Sequence, residues 1–510
     1  MTKGKLLFDG PEWSFELLSE THDAIEEIAL GELGLDVYPN QIEIISAEQM
    51  LDAYSCVGLP LMYQHWSYGK RFARDEALYR TGRQGLAYEI VINSNPCISY
   101  NMEENTMAMQ TLVMAHAAFG HNHFFKNNYL FKNWTDASAI HDYLAFAKNF
   151  VANCEERYGL EAVETVLDAA HALQTQGVFR YGRPPRPSAE ELQAMQRQRD
   201  GFVSQQSVLD LWTNNTMGHA KPLQNIADSG AQDRKDEMNL PQENILYFLE
   251  KHSPNLKSWE RELIRIVRYL AQYFYPQKQT KVMNEGCATF THYFIINRLF
   301  ERGLISEGAF MEIMHNHTNV VLQPDFNDPR YNGINPYALG FAMMQDIRRI
   351  CERPTQEDRD WFPSFAGDAD WKAVLRDAWA NFRDESFILQ FLSPNLMRKF
   401  KLFKLSDDSK QPNLVVSDIH NSRGYKKIRA ALAQSYNLSY QEPDIQVHDA
   451  NLRGDRELKL THSVRDGINL DPKNRDAVLL HARRLWGYDV SLTAKDQITD
   501  AHISHTSTAA

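Results

Sequence analysis

Up to about Leu396 the large apolar residues of this chain recur at spacings of three and four, and that rhythm leaves few ways to fold. It lays an apolar stripe along one side of a helix, so each segment can bury itself only against other helices. Ile140, Tyr143, Leu144, Ala147, Phe150 and Val151 form one stripe, with Thr135 or Asp136 as cap and Gly159 beyond its end. Val163, Val166, Leu167, Ala170 and Leu173 repeat it as far as Gly177. A third helix starts near Trp259, keeps Leu263, Val267, Leu270 and Phe274 inward, and is expected to break at Pro276. A fourth shows both ends: Asn335 as cap, Pro336 at the first helical position, Leu339, Met343, Ile347 and Ile350 inside, Pro354 beyond. The expectation is a mainly α protein whose large helical domain spans residues 1–396.

Two segments interrupt the rhythm. RYGRPPRPSAEE, residues 180–191, reads as a proline-stiffened loop followed by a capping box at Ser188 and Glu191. Residues 213–241 are polar and poor in large apolar side chains, which reads as an exposed loop. After Leu396 the texture changes. Strand-like runs at Phe400 to Leu405 and Asn413 to Ile419 precede a helix from Arg423 to Tyr436. Two more strands, Ile445 to Asn451 and Glu457 to Val464, flank a turn; a helix opened by Asp471 and Pro472 ends at Gly487, and Tyr488 to Thr493 returns as a strand. This order suggests a small α+β module, ferredoxin-like βαββαβ, over residues 397–493, followed by a disordered tail over 494–510.

Composition excludes several classes of function. No window approaches the roughly 18 uninterrupted apolar residues of a membrane span, and MTKGKLLFDGPEWSFELLSE lacks the apolar core of a secretory signal. A cytoplasmic protein without a transmembrane segment is expected. Cys56, Cys97, Cys154, Cys287 and Cys351 are scattered and never spaced as CxxC, which reads as reduced thiols rather than a disulfide framework or zinc ribbon. The net charge of −12 comes without a basic stripe, so nucleic acid is not an expected partner.

The chemistry-bearing residues gather in three places. MAHAAFGHNHFFKNN, Met114 to Asn128, holds His116, His121 and His123. At about 100° per residue, His116 and His123 share a face, whereas His121 sits about 140° round from His116. A one-residue π-bulge, with Gly120 as a natural place for it, would bring His116 and His121 together. Otherwise these are core histidines bonded to the fold. MNEGCATFTHY places Glu285 and His292 on one face of a helix but about 10 Å apart along its axis. Either Glu285 sits at an irregular helix start, or one of the two ligates an ion and the other supports it from behind. MHNHTNVVLQP adds His315 and His317, expected in a loop. His65, in YQHWSYGK, reads as a packed residue among aromatics. GxSxG, HExxH, GxxxxGKS and GxGxxG are all missing, so the common hydrolase, nucleotide-binding and dehydrogenase signatures are absent.

Taken together, LPLMYQHWSYGK, LVMAHAAFGHNHFFKNN, TKVMNEGCATFTH and GINPYALGFAMMQDI resemble the stage V sporulation protein R (SpoVR) family, in particular its enterobacterial-type members, over nearly the whole chain. The resemblance implies a setting in spore cortex or envelope peptidoglycan formation, or in stationary-phase and stress physiology, beside a PrkA-type serine kinase; it attaches no reaction. His116, Gly120 and His121 fit the family's histidine core, and Asn284, Glu285, Gly286 and His292 its second motif. His123 stands where Asp is frequent in the family, and Cys287 where Trp is usual.

The HxxxGH and NEGxA motifs are also similar to the paired motifs of gluzincin-type zinc peptidases, in which two histidines and a glutamate hold the ion. That likeness implies His116, His121 and Glu285 or His292 as ligands of a divalent transition metal such as zinc. In those enzymes the residue after the first histidine is a glutamate that activates water; here it is Ala117, so Glu103, Glu104 or a residue from elsewhere must take its place. Two classes therefore stay open: a metal-dependent hydrolase acting on a peptide or peptidoglycan precursor, and a non-catalytic regulatory or scaffold protein.

Overall fold

The computed structural model describes residues 5–56, 59, 62–80, 88–180, 238–367, 370–406, 415–452, 454–499, 502 and 507–509. The expected loops at 180–191 and 213–241 lie, except for Arg180 and residues 238–241, outside them. The fold is mainly α-helical with small sheets. No helix among the described residues is long and apolar enough to cross a membrane. The chain divides into two compact units, residues 1–168 with 258–443 and residues 169–257 with 444–510.

The first unit carries the histidine motifs. Its helices include α1 (Phe15–Glu26), α2 (Met107–Val113), α3 (Asn122–Asn127), α4 (Ile140–Tyr158), α5 (Ser258–Gln279), α6 (Lys281–Glu301), α7 (Glu307–Val320), α8 (Pro336–Glu352), α9 (Asp384–Phe391) and α10 (Tyr425–Ser435). Between α2 and α3 the chain stays helical but widens into a π-helix over Met114–His121, and a second π-helical segment, Glu27–Glu32, follows α1. A three-stranded sheet, β1 (Asn40–Ile45), β2 (Glu89–Ile92) and β3 (Cys97–Met102), has β3 at its centre, parallel to β1 and antiparallel to β2.

α6 runs through the middle of this unit because it is flanked by backbone on both sides. A Cβ at Gly120 would lie 2.5 Å from the Ala288 Cα, and one at Gly286 would lie 2.7 Å from Gly340. A Cβ at Gly340 would collide with the Val282 carbonyl. Residues without side chains thus let the π segment and α8 close on α6, where Val282, Met283, Phe290, Ile295, Ile296 and Leu299 are fully buried. The N-terminus of α6 has no cap from Thr280. Instead the buried Asp384 carboxylate, at the start of α9, accepts from the Val282 and Met283 amides, both at 2.9 Å.

Several expectations hold in detail. Asn335 caps α8 through the Tyr337 amide with Pro336 at its first position, and α4 stops before Gly159, whose φ of 89° favours glycine. Others are corrected. α5 runs through Pro276 to Gln279, since a proline in the last turn removes one hydrogen bond and burial of Tyr275, Pro276 and Gln279 holds the turn. His315 and His317 are not in a loop: Ser306 caps α7, and Phe310, Ile313, Met314 and His317 follow its helical spacing.

After Leu396 the strands divide between two sheets. β4 (Phe403–Ser406) and β5 (Val415–Ile419) form an antiparallel pair that belongs to the first unit. α10 lies beside this pair, as the βαββαβ order expects, with Lys427 on Asp418 at 2.9 Å, while its buried Tyr425, Ile428 and Ala433 join the helical core. The second unit holds β6 (Asp444–Ala450), β7 (Leu458–Val464), β8 (Val490–Asp496) and β9 (Ser507–Ala509) in that spatial order, with β7 and β8 parallel. The connection between those two strands is α11 (Pro472–Trp486), capped by Asp471 and ended by Gly487 at φ 88°. Ala494 to Asp496 continue β8, and Ser507–Ala509 pairs back on it where a disordered tail is expected. Trp486 stacks on Phe248 of helix Ile245–His252 in the core of this unit.

Candidate metal centre

The π-helix is what brings two histidines together. In a helix of 3.6 residues per turn, positions five apart diverge, whereas the wider π turn aligns residue i with i+5. His116 and His121 accordingly face each other with ring centroids 4.7 Å apart, nearly perpendicular. From α6, one turn inside its start, Glu285 points at the same spot: its Oε2 lies 3.6 Å from His121 Nε2. His116, His121 and Glu285 each offer a ligand atom, and these atoms lie within 4.8 Å of one another. Glu285 Oε2 is buried and has no hydrogen-bond partner among the described residues.

The other nitrogens are already committed. His121 Nδ1 lies 2.9 Å from Asn284 Oδ1; an amide oxygen only accepts, so Nδ1 carries the proton and Nε2 keeps its lone pair. His116 Nδ1 lies 2.9 Å from His292 Nδ1, and His292 Nε2 lies 2.8 Å from His317 Nδ1. Of the four residues singled out from sequence, His116, His121 and Glu285 converge, and His292 stands one ring behind, supporting His116. Burial, then the neighbouring imidazoles, holds His116 and His292 well below the usual histidine range, so both are neutral.

Two further groups complete the site, and sequence reasoning missed both. Glu89, the first residue of β2, puts Oε1 3.7 Å from His116 Nε2. Burial and then the Glu285 carboxylate push its pKa up to about 8. Tyr337, in the first turn of α8, reaches the Glu285 carboxylate with its hydroxyl, and burial followed by the charges of Glu285 and Glu89 keeps that phenol protonated. The signal for Tyr337 was present in GINPYALG, whose cap fixes where the helix begins. Nothing local marks Glu89, a lone acid at the start of a short strand.

Glu103 and Glu104 are exposed, and Glu104 instead accepts from the Ala47 amide. His123 takes no part either. Its Nδ1 accepts from the Asp36 amide at 3.0 Å and its ring meets Trp379 edge-on, with burial pulling its pKa down to about 4. Asn122, Asn127 and Asn128 likewise peg neighbouring backbone, at Tyr38, Asp36 and Trp379. The motif therefore has a half that gathers donor atoms and a half that clamps backbone. Cys287 is buried, with Sγ 3.7 Å from the Gly120 carbonyl, and fills the seam between the π segment and α6. His65 packs on Trp66 and Tyr68 and faces Asp168 at 3.2 Å. A second group of close donors, His22, Asp23 and Glu26, lies on the outer side of α1 and is more exposed.

Residues 12–441 match the family described as SpoVR like protein, and residues 443–497 match the SpoVR-like C-terminal domain. The chain is 53% identical over 491 residues to "Uncharacterized protein YcgB" of Escherichia coli (strain K12), covering 96% of this chain and 94% of that protein. No solved structure matches.

Proposed function

The chain belongs to the SpoVR family, and from that premise we propose that it is a metal-dependent hydrolase whose His116, His121 and Glu285 hold a divalent transition metal such as zinc. The observation that carries this reading is the convergence of three donors within 4.8 Å, one of them a buried carboxylate oxygen without a hydrogen-bond partner among the described residues. Two imidazoles and a carboxylate suit zinc, and an outer amide that fixes a histidine tautomer, as Asn284 does for His121, is the usual company of such ligands. A metal bound there would polarise an amide carbonyl and acidify water. Glu89 is the carboxyl placed to hold or move a proton beside His116, the task that Ala117 cannot perform. Tyr337 orients Glu285.

The substrate class that fits is a peptide or peptidoglycan precursor, met in the cytoplasm. The family setting supports a role in spore cortex or envelope peptidoglycan formation, or in stationary-phase stress physiology, beside a PrkA-type serine kinase. The test is elemental analysis of the purified protein with folded His121→Ala and Glu285→Ala variants. About one transition metal per wild-type chain, lost in both variants, supports the reading. Metal-free protein after resupply of zinc, manganese, iron and cobalt sinks it. The lack of a carboxylate after His116 then counts for the alternative, a non-catalytic regulatory or scaffold protein, and partner capture with the kinase becomes the decisive experiment.

A further inference from the structure

Behind His116 stands a row of rings that the hydrolytic reading does not use. His116, His292 and His317 come from the π segment, α6 and α7, are 5%, 1% and 5% exposed, and are linked by nitrogen to nitrogen hydrogen bonds of 2.9 and 2.8 Å. Phe341 and Tyr293 hold the far ring, with centroids 4.8 and 5.1 Å from that of His317. Burial keeps all three imidazoles neutral, His317 at about 4.

A neutral imidazole has one N–H and one lone pair, and each link in the row needs one of each. The row therefore has two neutral arrangements. In the first, His116 Nδ1 donates to His292 Nδ1, His292 Nε2 donates to His317 Nδ1, and His116 Nε2 is a bare lone pair facing Glu89. In the second every proton is reversed, and His116 Nε2 carries a hydrogen that blocks it as a donor to metal. The Ala288 carbonyl, one turn before His292 on α6, also hydrogen-bonds the His116 ring. A carbonyl only accepts, and Nδ1 is the His116 nitrogen turned toward α6 through His292 while Nε2 faces Glu89, which favours the proton on Nδ1.

We propose that His292 and His317 are positioning residues that together lock His116 in the tautomer whose Nε2 lone pair is open to the site. The lock rests on the metal reading only for its use, since it operates in the metal-free protein. His121 has its own lock in Asn284, so each candidate histidine ligand is fixed from behind by a different device.

The experiment is nitrogen NMR of the metal-free full chain carrying ring-15N histidine, in which protonated and bare ring nitrogens have well-separated shifts. Wild type is expected to show His116 protonated on Nδ1 and His292 and His317 on Nε2. His317→Asn, whose amide oxygen can accept in place of Nδ1, keeps that pattern, whereas His317→Leu lets His116 drift toward a mixture. Zinc affinity by chelator competition should fall about 10–100-fold in His317→Leu and largely recover in His317→Asn. Protonation of His116 on Nε2 in wild type overturns the proposal, and needs no variant to fold. So does a His317→Leu protein with unchanged tautomers. If wild type takes up no zinc yet shows the expected tautomers, the metal reading falls and the lock stands.

Discussion

The two π-helical segments share a backbone and almost nothing else. Glu27–Glu32 ends a surface helix: Gly31 is exposed with nothing within 4 Å of where a Cβ would sit, and Glu27 and Glu32 pair with Arg302 and Arg298. Met114–His121 is buried from end to end, its glycine is pressed onto Ala288, and its polar side chains are two buried histidines. The comparison teaches that the widened turn is only a geometric device, moving residue i+5 under residue i. What it does chemically depends on whether the aligned side chains meet solvent or one another.

The largest test of that contrast is the donor set. His121→Ala is expected to take bound metal from about one per chain to near zero by elemental analysis, while Glu32→Ala leaves it unchanged; equal loss in both would break the distinction. Next come the glycines. Gly120→Ala forces a Cβ onto α6 backbone and should cost about 3 kcal/mol or more in denaturant unfolding. Gly31→Ala should be neutral or stabilise by about 0.5 kcal/mol, because it only restricts the unfolded chain.

Proton linkage separates the segments with opposite signs. Glu89, beside the buried segment, has a folded pKa of about 8, above its unfolded value of 4.5. The metal-free folded protein thus binds the extra proton, and stability should fall as pH rises between those values. The slope is at most about 1.4 kcal/mol per pH unit, and Glu89→Gln should remove it. For Glu32, burial acts to raise the pKa, but the hydrogen bonds and charges of Arg298 and Arg302 outweigh it and hold the carboxylate below its ordinary value. Its contribution is present above the unfolded pKa and lost as pH falls through the folded one. Glu32→Gln should cost only about 0.5–1 kcal/mol, read by thermal melts at low salt and largely erased at high salt.

What sequence made legible follows local rules. Apolar spacing gave the helices, Asn335 and Pro336 gave the start of α8, and the five-residue separation of His116 and His121 with Gly120 between them marked where a π turn would matter. His123 aligns with His116 only on a regular 3.6-residue helix, which the π turn replaces. The helical place of His317 is masked in the sequence because polar His and Asn residues hide the spacing of Phe310, Ile313 and Met314. Glu89 lay beyond reach, since it joins the site through a sheet edge rather than through any pattern near the histidines. The sheet partition after Leu396 was hidden for a related reason: the sequence shows that α10 has an apolar face but not which core claims it.

The cap on α6 fixes an order of events. His116 and His121 leave the ribosome first and Glu285 much later, yet the helix bearing Glu285 has its first amides answered by Asp384, a hundred residues further on. A nascent chain that has extruded every proposed ligand still lacks the carboxylate that finishes the helix start. The centre therefore matures near the end of synthesis of its unit, and chains that stop short of residue 384 carry all three donors without the frame that aims them.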